Sequence, residues 1–198
     1  MNRKIGMVGA GLNALSVAVF AIALGFDIPF LGYSSSIFIA LSFVLMVSAF
    51  SNKCAAGNAA MIFAAIYATF IILIYFTQLT TLRNEALSLE MARLLNYSAF
   101  SWFFNLNLMG YGLMSLSGFF ASLTIKVRTK SHKILKYMLM GHGIFFISGF
   151  IMPILGIFTD MDGADIIGTI VLLVWCAIFL PIGILSYLYF RDGGEDTI

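Results

Sequence analysis

Charged residues are scarce in this chain of 198 residues, in which Asp, Glu, Lys and Arg together make up 10% and hydrophobic residues make up 61%. A soluble globular domain carries about 25% charged residues. A chain of this length with a mean hydropathy of +1.01 cannot hide so much apolar surface from water in a core of its own. The composition therefore excludes a water-soluble globular protein and predicts an integral membrane protein.

The hydrophobic segments also lack the side chains that most membrane enzymes and ion-coupled carriers use. Their interiors contain no acidic residue, and the chain has no H-E-x-x-H, G-x-S-x-G or phosphate-loop motif. The acidic connector 159–165 is too short for an EF-hand. We therefore predict no metal and no cofactor, and the sequence favours a protein that is not an enzyme. A membrane-embedded enzyme that uses His142 and peripheral acids remains an alternative.

Six hydrophobic stretches account for most of the chain. Each has at least the ~20 residues that a helix needs to cross a hydrocarbon core of ~30 Å. The predicted spans are residues 5–26, 30–50, 59–82, 99–125, 137–158 and 165–190. The expected fold is a single transmembrane domain, an all-α bundle of six helices.

The distribution of Lys and Arg predicts the orientation. Six spans place nine of the eleven basic residues on one side of the membrane and only Arg83 and Arg93 on the other. Cytoplasmic loops are enriched in basic residues, so both termini are predicted to be cytoplasmic. In length and layout the chain resembles small six-span bacterial membrane proteins, although no motif identifies a family. The predicted location is the plasma (inner) membrane of a prokaryote.

The longest outer connector, residues 83–98, has the pattern of an amphipathic helix between spans three and four. Asn84 is a plausible N-cap, and Glu90 and Arg93 share one face. The opposite face carries Leu87, Met91, Leu94 and Leu95. Such a helix is expected to lie in the membrane interface. A lid over the outer mouth of the bundle is the alternative.

Uncharged polar residues gather in the outer halves of spans three and four. The candidate ligand-binding residues are Tyr75 and Gln78 on span three and Asn105, Asn107 and Tyr111 on span four. Asn105 and Asn107 cannot share a helix face, because residues two apart point about 200° away from each other. These side chains either line an outward-facing pocket or form interhelical hydrogen bonds worth about 0.6 kcal/mol each.

Several single residues have simpler interpretations. His142 is placed about 9 Å into span five and is predicted to be a neutral histidine, hydrogen-bonded inside the bundle rather than transferring protons. Pro153 and Pro181 predict kinks in spans five and six. Gly9 and Gly11 predict close helix packing. Cys54 and Cys176 lie at different depths and are predicted to remain free thiols.

These patterns do not identify a reaction. They favour a small polytopic protein that binds a lipid or a small neutral or apolar ligand in an outward-facing polar pocket. A channel or carrier for a neutral solute is the first alternative, and a structural partner subunit is another. The expected partners are membrane lipids and a small neutral ligand. Nucleic acid is excluded, because the net charge of +2 is spread over membrane flanks.

Overall fold

The computed structural model describes residues 2–51, 54–84, 86–96, 101–156 and 164–193, with side chains from residue 169 onward in the last range. These residues form helices and short connectors, with no strand among them. Most of the acidic connector predicted at residues 159–165 lies outside the described residues. The helices are α1 (Asn2–Gly25), α2 (Pro29–Phe50), α3 (Ala55–Leu79), α4 (Leu89–Leu95), α5 (Trp102–Thr124), α6 (Lys130–His142), α7 (Phe145–Ile154) and α8 (Ala164–Arg191).

Six helical segments are long and apolar enough to cross a membrane, and they confirm the predicted all-α bundle. They are α1, α2, α3, α5, the pair α6 and α7, and α8. The fifth segment begins at Lys130, seven residues before its predicted start. The helix continues through the lysine-rich stretch because Lys has a good helix propensity and because Thr129 caps it, its hydroxyl accepting the His132 N–H at 3.2 Å.

The helices form a closed ring. Helix α1 packs between α2 and α8, α2 continues to α3, α3 to α5, and α5 to both halves of the fifth span, of which α6 returns to α8. Helix α7 packs on α5 and has no comparable contact with α8 in the described part of the chain. The outer half of the fifth span therefore sits at the edge of the bundle.

Glycines allow α1 to approach both of its neighbours closely. A methyl group placed on Gly9 would lie 2.5 Å from the backbone nitrogen of Met46 in α2. One placed on Gly183 would lie 3.1 Å from the backbone nitrogen of Ala14 in α1. The prediction of a packing glycine is confirmed for Gly9. It is not confirmed for Gly11, where a methyl group would make only an ordinary contact with a tyrosine ring at 3.6 Å.

Hydrogen bonds bring the start of α1, the end of α8 and one basic connector to the same side of the bundle. Arg3 donates from Nε to the carbonyl of Phe190 at 2.9 Å and from a terminal nitrogen to the carbonyl of Arg191. Arg128, between α5 and α6, donates to the carbonyl of Gly193 at 3.2 Å. Both guanidinium groups therefore lie at the C-terminal end of α8, where the helix dipole favours positive charge.

The fifth span is interrupted at Gly143 and Ile144, and not at Pro153. The amides of these two residues bond three residues back, to the carbonyls of Met140 and Gly141, each at 3.1 Å. Glycine is a poor helix former, and Gly141 and Gly143 flank His142. Pro153 lies in the last turn of α7, close to a helix end where a missing hydrogen bond has little consequence. The interruption of this span therefore lies ten residues before the proline at which a kink was predicted, and Pro181 lies within α8, which continues past it.

Candidate functional site

The structure turns four of the five predicted site residues toward the interior. On α3, Tyr75 and Gln78 are buried, with 3% and 7% of their surface exposed. On α5, Asn107 is buried and Tyr111 is partly buried, whereas Asn105 is exposed. The two asparagines lie on different faces, as the helical geometry required. Asn105 therefore does not join the other four.

Gln78 connects α3 to the outer amphipathic segment. Its carboxamide Nε2 donates a hydrogen bond of 2.7 Å to the carbonyl of Leu95, the last residue of α4. The N-cap of α4 is Ser88 and not Asn84, because the Ser88 hydroxyl accepts the Met91 N–H. The Asn84 side chain instead accepts the Ala86 N–H in a local turn.

Helix α4 keeps most of its apolar side chains exposed. Leu89 is 67% exposed and Leu94 is 53% exposed. No residue of this helix is buried against the bundle. The hydrogen bond from Gln78 nevertheless fixes its C-terminal end over α3.

Four aromatic side chains form a row across the middle of the bundle, which we call the aromatic row: Tyr67, Tyr111, Trp175 and His142. The Tyr111 ring lies 5.8 Å from Tyr67 and 5.3 Å from Trp175, between ring centres. Trp175 Nε1 donates a buried hydrogen bond of 3.1 Å to His142 Nε2. The row therefore joins α3, α5, α8 and α6 in one set of contacts.

His142 lies at the end of α6, far along the helix from its basic start. It is the last residue of α6, about 18 Å along that helix from Lys130. Its partner Trp175 lies about 24 Å along α8 from Arg191. The helix starts seven residues before the hydrophobic stretch, and the predicted depth of about 9 Å in the membrane stays a prediction. The predicted hydrogen bond within the bundle is confirmed.

Both ends of the aromatic row carry a buried polar atom that no described residue hydrogen-bonds. These atoms are the Tyr67 hydroxyl oxygen and His142 Nδ1, in side chains that are 0% and 2% exposed. An unpartnered polar atom in the hydrocarbon region costs several kcal/mol. Such atoms mark places where water or a ligand completes the hydrogen bonding.

Two further polar residues, Asn13 and His132, are buried although they lie outside the predicted set. Asn13 in α1 is fully buried and donates from Nδ2 to the Ile39 carbonyl and the Ser42 hydroxyl of α2, each at 3.2 Å. A lone amide in the middle of a hydrophobic span was the signal that could have found it. His132 lies in the first turn of α6, buried with its ring centre 4.8 Å from that of Tyr189.

The site contains no charged side chain and offers only uncharged donors and acceptors. Among the described residues, no three His, Cys, Asp or Glu side chains are close enough to hold a metal ion. The prediction of free thiols is confirmed, with Cys54 exposed and Cys176 buried.

A scan against protein-family models, a search of curated proteins and a search of solved structures each find no match to this chain. The function is therefore inferred from the side chains and their geometry.

Proposed function

We propose that this membrane protein binds a small uncharged ligand, which enters from the outer side along the polar face shared by α3 and α5. The observation that carries this proposal is the row of inward-facing polar side chains that leads from α4 to mid-span. We call it the polar column: Gln78, Tyr75 and Tyr67 on α3, and Asn107 and Tyr111 on α5. Polar groups are expensive in hydrocarbon, and side chains that serve packing alone do not require so many of them.

The composition of the polar column selects the chemical class of the ligand. It contains phenols and carboxamides and no ionised group, so a charged molecule would lose its hydration without gaining a counter-charge. Its inner end meets the aromatic row, which offers ring faces to an apolar body. The fitting ligand is a small neutral molecule with a few polar atoms and a hydrophobic remainder.

Gln78 couples the outer segment to the polar column. Its carboxamide is nearly buried and holds the carbonyl of Leu95, so α4 lies where a ligand would enter. Ligand binding beside Gln78 is expected to change the exposure of α4, in the way that a surface segment changes when a site fills.

Trp175 provides a reporter at the inner end of the column. The other tryptophan, Trp102, is 59% exposed and is removed by Trp102→Phe. Acrylamide is a small neutral quencher soluble in water, and we expect it to quench Trp175 fluorescence in lipid nanodiscs. The Gln78→Leu and Asn107→Leu variants should each lower the quenching constant several-fold, whereas iodide should quench poorly throughout because it is charged.

Asn105→Leu is the matched control, because it makes the same change on an exposed position of α5. If Asn107→Leu and Gln78→Leu leave quenching unchanged and only lower stability by about one interhelical hydrogen bond, the polar side chains are packing groups. If brominated lipids quench Trp175 while acrylamide does not, the occupant is a lipid chain and the proposed small ligand is wrong.

A second candidate, a carrier for a neutral solute, is favoured by the break in the fifth span. Discontinuous helices near the bilayer midplane form the binding sites of many carriers. The break at Gly143 and Ile144 adjoins the aromatic row through His142. Transport would be supported if urea enters proteoliposomes of the wild type but not those of Gly143→Ala. Acrylamide should still quench Trp175 in that variant. Wild-type vesicles no more permeable than protein-free ones would exclude it.

The basic side of the bundle is proposed to face the cytoplasm of a prokaryotic cell, with the protein in its plasma membrane. Support comes from the basic residues Arg3 and Arg128, which the structure brings to one side. Cys54 is exposed near this side and serves as a natural label. On intact cells, an impermeant maleimide should label the double variant Ser88→Cys, Cys54→Ser. It should not label Cys54 in the wild-type protein. The reverse labelling would invert the orientation.

A further inference from the structure

We infer that His142 Nδ1 binds the hydrogen-bond-accepting oxygen of a neutral molecule, beside Gly118 at the break in the fifth span. That oxygen belongs either to a water molecule or to a carbonyl, ether or hydroxyl group of the ligand. An oxygen that belongs to a ligand rests on the proposed function, whereas a bound water molecule does not.

The position of the proton follows from the hydrogen bond to Trp175. An indole N–H can only donate, so His142 Nε2 must accept and carries no proton. A neutral imidazole then carries its proton on Nδ1. This N–H is buried, and no described residue accepts it. It is therefore a donor aimed at an acceptor that comes from outside the described side chains.

The space for that acceptor lies against α5, where Gly118 has no side chain. A methyl group placed on Gly118 would lie 3.4 Å from Leu139 Cδ2, 3.9 Å from the carbonyl oxygen of Leu139 and 4.0 Å from His142 Nδ1, all ordinary contact distances. The Gly143 amide bonds to the carbonyl of Met140 and not to that of Leu139, its partner in a regular helix. A donor and an acceptor therefore border one small space, which is the minimum that a buried water needs.

The same geometry limits the chemistry of a ligand. A protonated His142 would point a second N–H at the Trp175 N–H, so the intact pair favours the neutral imidazole and a neutral acceptor. Ketones, amides, ethers and alcohols offer such an oxygen, and hydrocarbons of the same shape do not. The rings of Trp175 and Phe179, which stack on each other with centres 4.8 Å apart, make the surroundings apolar and suit the apolar remainder of a ligand.

Nitrogen-15 NMR of the full chain in nanodiscs tests the inference directly. The two histidines are assigned with His132→Gln, and the exchange cross-peak between the His142 Nδ1–H and water is measured. We expect a cross-peak in the wild type. We expect its loss in Gly118→Ala, whose methyl group fits with ordinary contacts but occupies the space of the oxygen. Gly141→Ala is the control, because a methyl group there meets no atom within 4 Å.

Adding cyclopentanone or methylenecyclopentane distinguishes the two sources of the oxygen. These molecules have similar shape, and only the ketone carries an acceptor oxygen. If the ketone removes the water cross-peak and shifts the Nδ1–H signal, and the hydrocarbon does neither, the oxygen belongs to a ligand. A persistent water cross-peak with no effect of the ketone assigns it to water. Equal shifts with both molecules, or a wild-type Nδ1–H with neither a water cross-peak nor a ketone shift, overturn the inference.

The proposed function fails by a different measurement. In one outcome, acrylamide quenches Trp175 and the Gln78→Leu and Asn107→Leu variants lower the quenching, but the His142 Nδ1–H shows neither the water cross-peak nor the ketone shift. The inference is then wrong and the proposed function stands. If the His142 water cross-peak is present and acrylamide does not reach Trp175, the proposed function is wrong and the bound water stands.

Discussion

Helices α1 and α7 are both apolar, yet they are held in the bundle very differently. Helix α1 buries residues along its whole length against two neighbours, α2 and α8. Helix α7 has no fully buried residue, and Ile154 near its end is 79% exposed. Its close contact is with α5, where a methyl group on Gly149 would lie 2.8 Å from the Leu108 carbonyl oxygen.

The difference shows that hydrophobicity alone does not attach a helix to a membrane bundle. Lipid covers the exposed side chains of α7 as well as protein would, so association depends on close packing and on polar contacts. Helix α1 has glycine contacts on two sides and the Asn13 hydrogen bonds, and it forms part of a stable scaffold. Helix α7 has fewer such contacts and is expected to open at lower free energy.

The largest effect is expected where the scaffold is tightest. Gly9→Ala would place a methyl group 2.5 Å from the Met46 backbone nitrogen, and backbone cannot rotate away as a side chain can. We expect the free energy of unfolding in mixed micelles to fall by about 3 kcal/mol. Gly25→Ala, at the end of the same helix with no atom within 4 Å, should change it by less than about 0.5 kcal/mol. Equal changes in the free energy of unfolding for both variants would contradict the tight packing at Gly9.

Gly149→Ala makes the same substitution on α7 and should cost less, about 2 kcal/mol, because α7 can move outward without disturbing a second neighbour. Hydrogen exchange should become faster in residues 145–154 and stay unchanged in α1 and α2. Gly141→Ala is the control in the same span. Faster exchange in α1 as well would show that the two regions unfold as one unit.

Arg3→Gln tests the polar contribution to the scaffold. The variant loses a guanidinium group that donates to the carbonyls of Phe190 and Arg191 at the end of α8. A loss of about 1 kcal/mol is expected, and it should shrink at high salt because the charge is exposed. The neighbouring exposed Lys4→Gln should have a smaller effect. A larger effect of Lys4→Gln would indicate a general charge effect and not these two bonds.

The smallest effect is expected at the outer surface, in Gln78→Leu. The loss of the bond to the Leu95 carbonyl should reduce stability by about 0.6 kcal/mol. Exchange of the amides of α4 should accelerate, while α1 and α7 stay as they are. Asn105→Leu, which is exposed on α5, should leave α4 unchanged. Unchanged exchange in Gln78→Leu would mean that the interface alone holds α4.

Much of the architecture was predictable from the sequence because it depends on local properties. Hydrophobic length determined the six spans, and the positions of the basic residues predicted which connectors share a side. Helical periodicity placed Asn105 and Asn107 on different faces and predicted a helix in the connector 83–98, of which the structure forms Leu89–Leu95. The polar residues of spans three and four were found in the same way, although their ligand remains a proposal.

The tertiary structure decided which of these residues meet. In lipid a helix can be apolar on every side, so the sequence pattern does not reveal which face packs or which neighbour it meets. The pairing of Trp175 with His142 joins residues 33 positions apart, and the bonds of Asn13 depend on α2 lying beside it. The break of the fifth span at Gly143 was likewise not predicted from the sequence. Composition and periodicity act along one helix, whereas these contacts depend on how neighbouring helices pack.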